Sequence, residues 1–336
     1  MKGIPSKAGS ILLFLFAAIA LTSGPASASD SDTAPCPCCT KTASAAYKAC
    51  NHEIKDDFGI TIGNCLNLSD PYGRHVCVQA AAEAFAEAEE LCGDQREARL
   101  KICEKLGEAA YDPAIHPEDF IDFDAVINGG QSFTPNPHFP LTPGTIWEYI
   151  AIDAEGTPLE RILVEVLFEV KEILGVNCIV VHDRVWEIDE EFEEVLIEDT
   201  RDWYAQDKCG NVWYFGELAM NFEDGELKDI EGSWEAGEDF AKPGYIMLAN
   251  PQPGDAYRQE FALGDAEDVA AVKSRDEETV SVPFGTFSED VLETLDFNPL
   301  EPDVIEFKYY APGVGTVLEV NPEDEERVEL VNMVTP

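Results

Sequence analysis

From residue 160 to residue 173 apolar and polar positions alternate with a period of two. Ile162, Val164, Val166, Phe168 and Val170 point one way, and Arg161, Glu165, Glu169 and Lys171 point the other. That alternation marks a long strand with one buried face. Similar runs predict strands near 145–153, 176–188, 193–207, 212–223, 256–263, 278–284, 303–310 and 315–320. Asp224-Gly225, Pro253-Gly254 and Pro312-Gly313 supply turn signals between them. No helical stripe of comparable length lies between these strands. The pattern therefore predicts a curled antiparallel sheet or half-barrel rather than a βαβ fold.

Before residue 110 the period changes to three or four. A first helix is predicted over 40–57, with Ala43, Ala46, Tyr47, Cys50 and Ile54 on one face. A second begins at Ser69-Asp70-Pro71, an N-cap followed by proline, and runs to Cys92. A third covers 95–109, with Leu100, Cys103 and Leu106 inward. Residues 111–137, rich in Pro, Asp and Gly, read as a linker. The fold class expected is α+β, mainly β: a disulfide-stapled helical module over 29–110 followed by an acidic antiparallel β domain over 138–336.

The first 28 residues read as a signal peptide. Lys2 and Lys7 precede the apolar run Ile11–Leu21, and Ala26-Ser27-Ala28 offers a cleavage site after Ala28. That run is too short to span a bilayer, which needs about 20 apolar residues, and no later stretch is predicted to span one. A secreted or periplasmic location follows, and with it an oxidising compartment where disulfides persist. The ten cysteines then become disulfide candidates: Cys36, Cys38, Cys39, Cys50, Cys65, Cys77, Cys92 and Cys103 within the helical module, and Cys178 and Cys209 in the β domain. An alanine-rich bundle has little core, so each crosslink is expected to contribute about 2–4 kcal/mol. Thiolate binding of copper or zinc by Cys36, Cys38 and Cys39, with His52 or His75, is the weaker reading, because neither a CxxC…CxxC nor a CxxC…HxxxH spacing is present.

Charge is distributed unevenly. Residues 113–336 carry 52 Asp and Glu against 12 Lys and Arg, out of 67 and 22 in the whole chain. Such a surface repels nucleic acid and anionic lipid and attracts cations. Two explanations compete. Dispersed acids with few lysines fit halophilic adaptation. Carboxylates clustered in the 223–239 and 323–329 loops could instead supply the oxygen ligands that Ca²⁺ takes.

The densest chemistry lies in Asp202-Trp203-Tyr204-Ala205-Gln206-Asp207-Lys208-Cys209-Gly210-Asn211-Val212-Trp213-Tyr214-Phe215-Gly216-Glu217. Lys208–Asn211 form a predicted hairpin loop, with Gly210 at a positive-φ position. A regular register sets Asp202 opposite Glu217 and puts Tyr204, Trp213 and Phe215 on their face. Opposed carboxylates are destabilising unless they are solvated, share a proton or hold a cation. Asp202 and Glu217, with Asp199, are therefore candidate metal ligands, and Asp202 with Glu217 the alternative catalytic pair of a hydrolase. Trp203, Tyr204, Trp213, Phe215 and, between two glycines, Trp234 are candidate contacts for an apolar ligand in the mouth of the sheet.

Phe139-Pro140-Leu141-Thr142-Pro143-Gly144-Thr145-Ile146-Trp147, the Asp202–Glu217 string, Gly232-Ser233-Trp234-Glu235-Ala236-Gly237 and Tyr309-Tyr310-Ala311-Pro312-Gly313-Val314-Gly315 together resemble a family of uncharacterised secreted bacterial proteins over residues 115–330. The resemblance implies export and a domain boundary near 115, and no activity. Members tend to lack a cysteine at the position of Cys209. The reading that follows is a secreted or periplasmic, non-enzymatic protein that binds divalent cations or an apolar or amphipathic ligand, its helical module serving to dock a protein partner. A carboxylate hydrolase and a structural cell-envelope protein are the alternatives.

Overall fold

The computed structural model describes residues 37–189, 192–276, 279–323 and 325–336. The expected signal peptide and Cys36 lie outside them.

Two long helices open the fold, α1 (Cys38–Leu66) and α2 (Pro71–Leu106). Asp70 caps α2 by accepting from the Gly73 amide at 2.6 Å, and Pro71 takes the first helical position, where its missing N–H costs nothing. The second and third helices read from the sequence are one: α2 continues through Gly93-Asp94, since packing against α1 outweighs the propensity cost of a single glycine. Disulfides join Cys39 to Cys103, Cys50 to Cys92 and Cys65 to Cys77, at separations of 64, 42 and 12 residues. They form three rungs of an antiparallel helical hairpin. Cys38 is disulfide-bonded as well, so the thiolate-metal reading fails there.

The segment 111–137 is folded onto the sheet. A 3₁₀ turn at Pro117–Asp119 leads to the short helix α3 (Phe123–Ile127), capped by Asp122. Phe120 packs edge-on against Trp213 and Phe215, with ring centroids 5.9 and 5.6 Å away.

The strands are β1 (Ile146–Ile152), β2 (Pro158–Ile173), β3 (Val176–Ile188), β4 (Glu194–Gln206), β5 (Val212–Glu223), β6 (Glu226–Asp229), β7 (Trp234–Glu235), β8 (Lys242–Met247), β9 (Ala256–Arg258), β10 (Glu260–Phe261), β11 (Val269–Arg275), β12 (Val280–Val282), β13 (Gly285–Phe287), β14 (Leu292–Phe297), β15 (Ile305–Ala311), β16 (Gly315–Val320) and β17 (Arg327–Val334). Fifteen form one antiparallel sheet in the order β10-β8-β5-β4-β3-β2-β1-β17-β16-β15-β14-β11-β9, with β6 and β7 also on β5. The strands β12 and β13 pair separately. The two ends of this order, β9 and β10, are separated in sequence by Gln259 alone, so the chain itself nearly closes the sheet into a barrel. Gly244 of β8 lies against that junction: a Cβ there would stand 2.4 Å from the Arg258 carbonyl oxygen. The 323–329 loop expected to gather carboxylates is partly β17, and the 223–239 loop contains β6 and β7.

The helical module is held to the barrel by polar contacts. Arg99 of α2 donates through Nε and Nη2 to Glu267 at 2.6–3.1 Å, and both side chains are buried. Gln95 Nε2 donates to the Leu300 carbonyl at 2.9 Å, and the Tyr111 hydroxyl to the Pro243 carbonyl at 2.9 Å.

Candidate functional site

The hairpin of β4 and β5 builds one wall. Between Glu198 and Asp202 the register is regular and places Asp202 opposite Glu217, as expected. Nearer the turn it slips, pairing Tyr204 with Tyr214 and Ala205 with Trp213. The extra residue lies in β5, where Gly216 takes φ 135° and its Cα comes so close to β7 that a Cβ would stand 2.3 Å from the Trp234 carbonyl oxygen. This β-bulge changes which side chains share a face. Glu217 joins Tyr214, Tyr204 and Asp202 on the inner face, while Trp213 and Phe215 turn outward. At the turn, Gly210 has φ 101° and the Asp207 carboxylate accepts from the Cys209 and Asn211 amides, as a tight hairpin requires.

Inside the barrel lies a cavity of about 360 Å³. Ile162, Val164, Val181, Leu141 and Trp147 give it an apolar wall, and Asp183, Glu198 and Asp202 give it an acidic one. Across from these, Lys308 stands 3.6 Å from Glu319, 3.3 Å from Glu306 and 3.9 Å from Asp296. Burial alone would lower Lys308, but those three carboxylates hold it well above the usual lysine range. Among the described residues Lys308 is the one basic residue lining the cavity, and it is already matched.

The acidic wall has no such partner among the described residues. Asp183 Oδ1 is buried and accepts no hydrogen bond. Burial, then the neighbouring Asp202, Glu198 and Glu319, push Asp183 well above the usual carboxylate range. Burial also raises Asp202 to about 7, against a hydrogen bond from the Tyr214 hydroxyl to Oδ1 at 2.6 Å. Glu217 is raised to about 8, first by burial and then by Asp202. Opposed across a strand pair, the two carboxyls disfavour each other's ionisation, so both hold protons further toward neutral pH than a solvated carboxyl does.

The residues singled out from the sequence do not form one site. Asp202 and Tyr204 line the barrel cavity; Glu217 shares their face but is not among its lining residues. Trp203, Trp213 and Phe215 are covered by the protein itself, Trp203 by Lys171 Nζ at 3.2 Å from its ring centroid and the other two by Phe120. Trp234, 6% exposed, is not an open contact residue: it stands edge-on to Tyr214 at 5.4 Å. Asp199 is not part of the carboxylate pair. Three residues from Asp202 on a regular strand, it points to the opposite face, where its Oδ1 meets His182 Nε2 at 2.8 Å. Among the described residues no group of three or more His, Cys, Asp or Glu is placed to hold a metal ion. Cys178 and Cys209 are free thiols and form no disulfide: one is buried in β3, the other exposed at the hairpin turn. Sequence reasoning missed Glu198, Lys308 and Glu319, and it read Asp183, beside His182 on a strand, as a weak catalytic hint at the surface rather than as part of a cavity. Each alternates with an outward residue along its strand, but only closure of the barrel makes them face one another.

No family model matches the chain, and no curated protein matches it. Among solved structures it is similar to a protein of Bacteroides fragilis, inferred to be exported and described with a YmcC-like fold. The TM-score is 0.33 at 16% identity, over 60% of this chain and 100% of that one. It is also similar to a protein of Parabacteroides distasonis inferred to be a lipoprotein, with a TM-score of 0.30 at 13% identity and the same coverage. These likenesses are too distant to transfer the role of any residue. The disulfides fit an oxidising location outside the cytoplasm. No helix among the described residues is long and apolar enough to cross a membrane.

Proposed function

We propose that this chain is an exported, non-enzymatic binding protein whose barrel cavity takes an amphipathic cation. The observation that carries this reading is Asp183 Oδ1, buried without a partner beside Glu198 and Asp202 on a cavity whose lysine is already matched. Among the described residues the Arg184 amide is the one donor that steadies this carboxyl, and Oδ1 is left without one; a buried oxygen without a partner is costly, and an ammonium group would supply the donor and favour the ionised form while an alkyl body covers Val164, Val181 and Ile162. The volume lies within the range of small-molecule sites, about 300–1,000 Å³. Membership of the secreted family that the FPLTPGTIW and YYAPGVG strings resemble is part of the same proposal and agrees with export.

The test is calorimetric titration with octylammonium. Saturable binding is expected, weakened at least tenfold in Asp183→Asn, with octanol binding more weakly. Absence of saturable binding by octylammonium and octanol alike would sink the proposal.

The hydrolase reading draws support from the two raised carboxyls. A glycosidase-like pair must flank its substrate, whereas Asp202 lines the cavity and Glu217 does not. Turnover lost in both Asp202→Asn and Glu217→Gln, at unchanged stability, would restore it.

A further inference from the structure

A second cavity, of about 470 Å³, opens where the helical module meets the β9–β10 edge of the barrel. Two arginines line it, Arg99 of α2 and Arg258 of β9, only 6% and 9% exposed. Arg99 spends Nε and Nη2 on Glu267, and its Nη1 is buried without a partner. Arg258 donates no hydrogen bond to any carboxylate among the described residues. Its guanidinium lies 4.8 Å from the Phe261 ring centroid and 5.6 Å from that of Tyr111, and its Nη1 is also buried and unpartnered. Burial lowers the Arg258 pKa, Glu267 and Tyr111 oppose this, and Arg99 adds to it, so the two guanidinium groups stand close enough to repel.

A guanidinium stays charged in a protein, and a buried charge without a hydrogen-bonded counterion is unfavourable. In the cavity wall two buried arginines share one buried carboxylate, Glu267, and each keeps an unpartnered Nη1; the other acids of the lining, Glu235, Glu238, Asp239 and Asp265, are half-buried or exposed. The chemistry that satisfies the two Nη1 donors is a planar anion with two acceptor oxygens. The mouth narrows the choice. Glu238 and Asp239 are exposed there and Glu235 pairs with Lys171 at 2.6 Å, a rim that disfavours a multiply charged ligand. Asp265 is an exposed carboxyl of the same lining, raised first by burial and then by Glu267 and Asp239. Leu106, Phe261 and Ala43 give the inner wall apolar area, and two exposed apolar side chains also line the cavity, Leu263 at 44% and Phe240 at 90% with φ 68°.

We propose that this cavity binds the carboxylate of a singly charged, partly apolar molecule, with Arg258 and Arg99 as its anchors. The site is separate from the barrel cavity and does not depend on the function proposed for it. The test titrates octanoate into the exported chain, with octanol and inorganic phosphate as controls. Octanoate is expected to bind saturably and raise the melting temperature, with octanol and phosphate at least tenfold weaker. Arg258→Gln is expected to lose octanoate at least tenfold while keeping the circular dichroism spectrum of the wild type. Should Arg258→Gln not fold, Arg258→Lys, which keeps the charge and loses the fork, is expected to bind octanoate several-fold more weakly. Octanoate binding no tighter than octanol or phosphate, or unchanged in the folded arginine variant, overturns the proposal.

Discussion

The Tyr214 hydroxyl donates to Asp202 Oδ1 at 2.6 Å, from the strand that also places Glu217 opposite Asp202. The bond holds the carboxyl in place, but burial wins the electrostatic contest, and the pair titrates near 7 and 8. Asp183, Glu260, Asp296 and Glu319 are raised as well, each first by burial.

The sign of the pH dependence follows. Unfolded, Asp202 and Glu217 release their protons near pH 4; folded, they keep them until about 7 and 8. The native state therefore binds more protons than the unfolded state over this window, and stability falls as pH rises from about 4.5 to 8. Denaturant melts at pH 5, 6.5 and 8 are expected to show that fall. Asp202→Asn should flatten it by up to about 1.4 kcal/mol per pH unit, the linkage of one proton. A wild type that gains stability between pH 5 and 8 would contradict the burial of these groups.

Gly216 makes the inner face possible. Alanine there meets the Trp234 carbonyl oxygen at 2.3 Å, at a φ of 135° that side chains rarely adopt. Overpacking and backbone strain together cost about 2–4 kcal/mol. Gly216→Ala is expected to lower the denaturation midpoint accordingly, while Gly225→Ala, at a turn with open space around it, costs less. Equal losses in the two variants would argue against the bulge.

Much of this fold is legible in the sequence, for identifiable reasons. Strands β1 to β5 each keep a one-sided apolar face long enough to show a period of two. Strand β8 was not legible, because Pro243-Gly244 reads as a turn and its glycine is there to admit the Arg258–Gln259 backbone. Strand β17 was hidden by its acidic lead-in. In the helical module the spacing between successive cysteines, Cys39 to Cys50 to Cys65, repeats in reverse from Cys77 to Cys92 to Cys103. That mirror order is what two antiparallel helices crosslinked at three levels require, and it was a readable signal for one helical hairpin. The candidate site was half legible. The pairing of Asp202 with Glu217 follows from a regular register, but the bulge at Gly216 and the barrel closure that brings Lys308 opposite Asp183 are set by long-range packing.

The ion pair between Arg99 and Glu267 ties α2 to the barrel at 2.6 Å. Glu267 also accepts from the Gly264 amide at 3.0 Å. Removing only the carboxylate leaves Arg99 and Arg258 both without a buried counterion, a change that typically costs about 3–5 kcal/mol. Glu267→Gln is therefore expected to destabilise strongly. The double change Arg99→Met with Glu267→Leu should cost less than Glu267→Gln alone, because no charge is stranded. A double variant that melts below the single one would show that the pair contributes more than the avoidance of an unpaired charge.

The remaining acidity is dispersed, and that decides how salt should act. The chain carries a net charge of −45. Among the described residues most acids are exposed, and Asp199 is engaged with His182 on the face opposite Asp202 and Glu217. Repulsion between exposed charges is long-range and is screened as the Debye length shrinks from about 10 Å at 0.1 M to about 3 Å at 1 M. The melting temperature is therefore expected to rise continuously as NaCl goes from 0.1 to 2 M. Calcium chloride added at fixed ionic strength should give no further saturable rise, since a specific site needs six or more oxygens converging on one point. A saturable calcium response lost in Asp202→Asn would reverse this assignment and make the inner carboxylates a cation site.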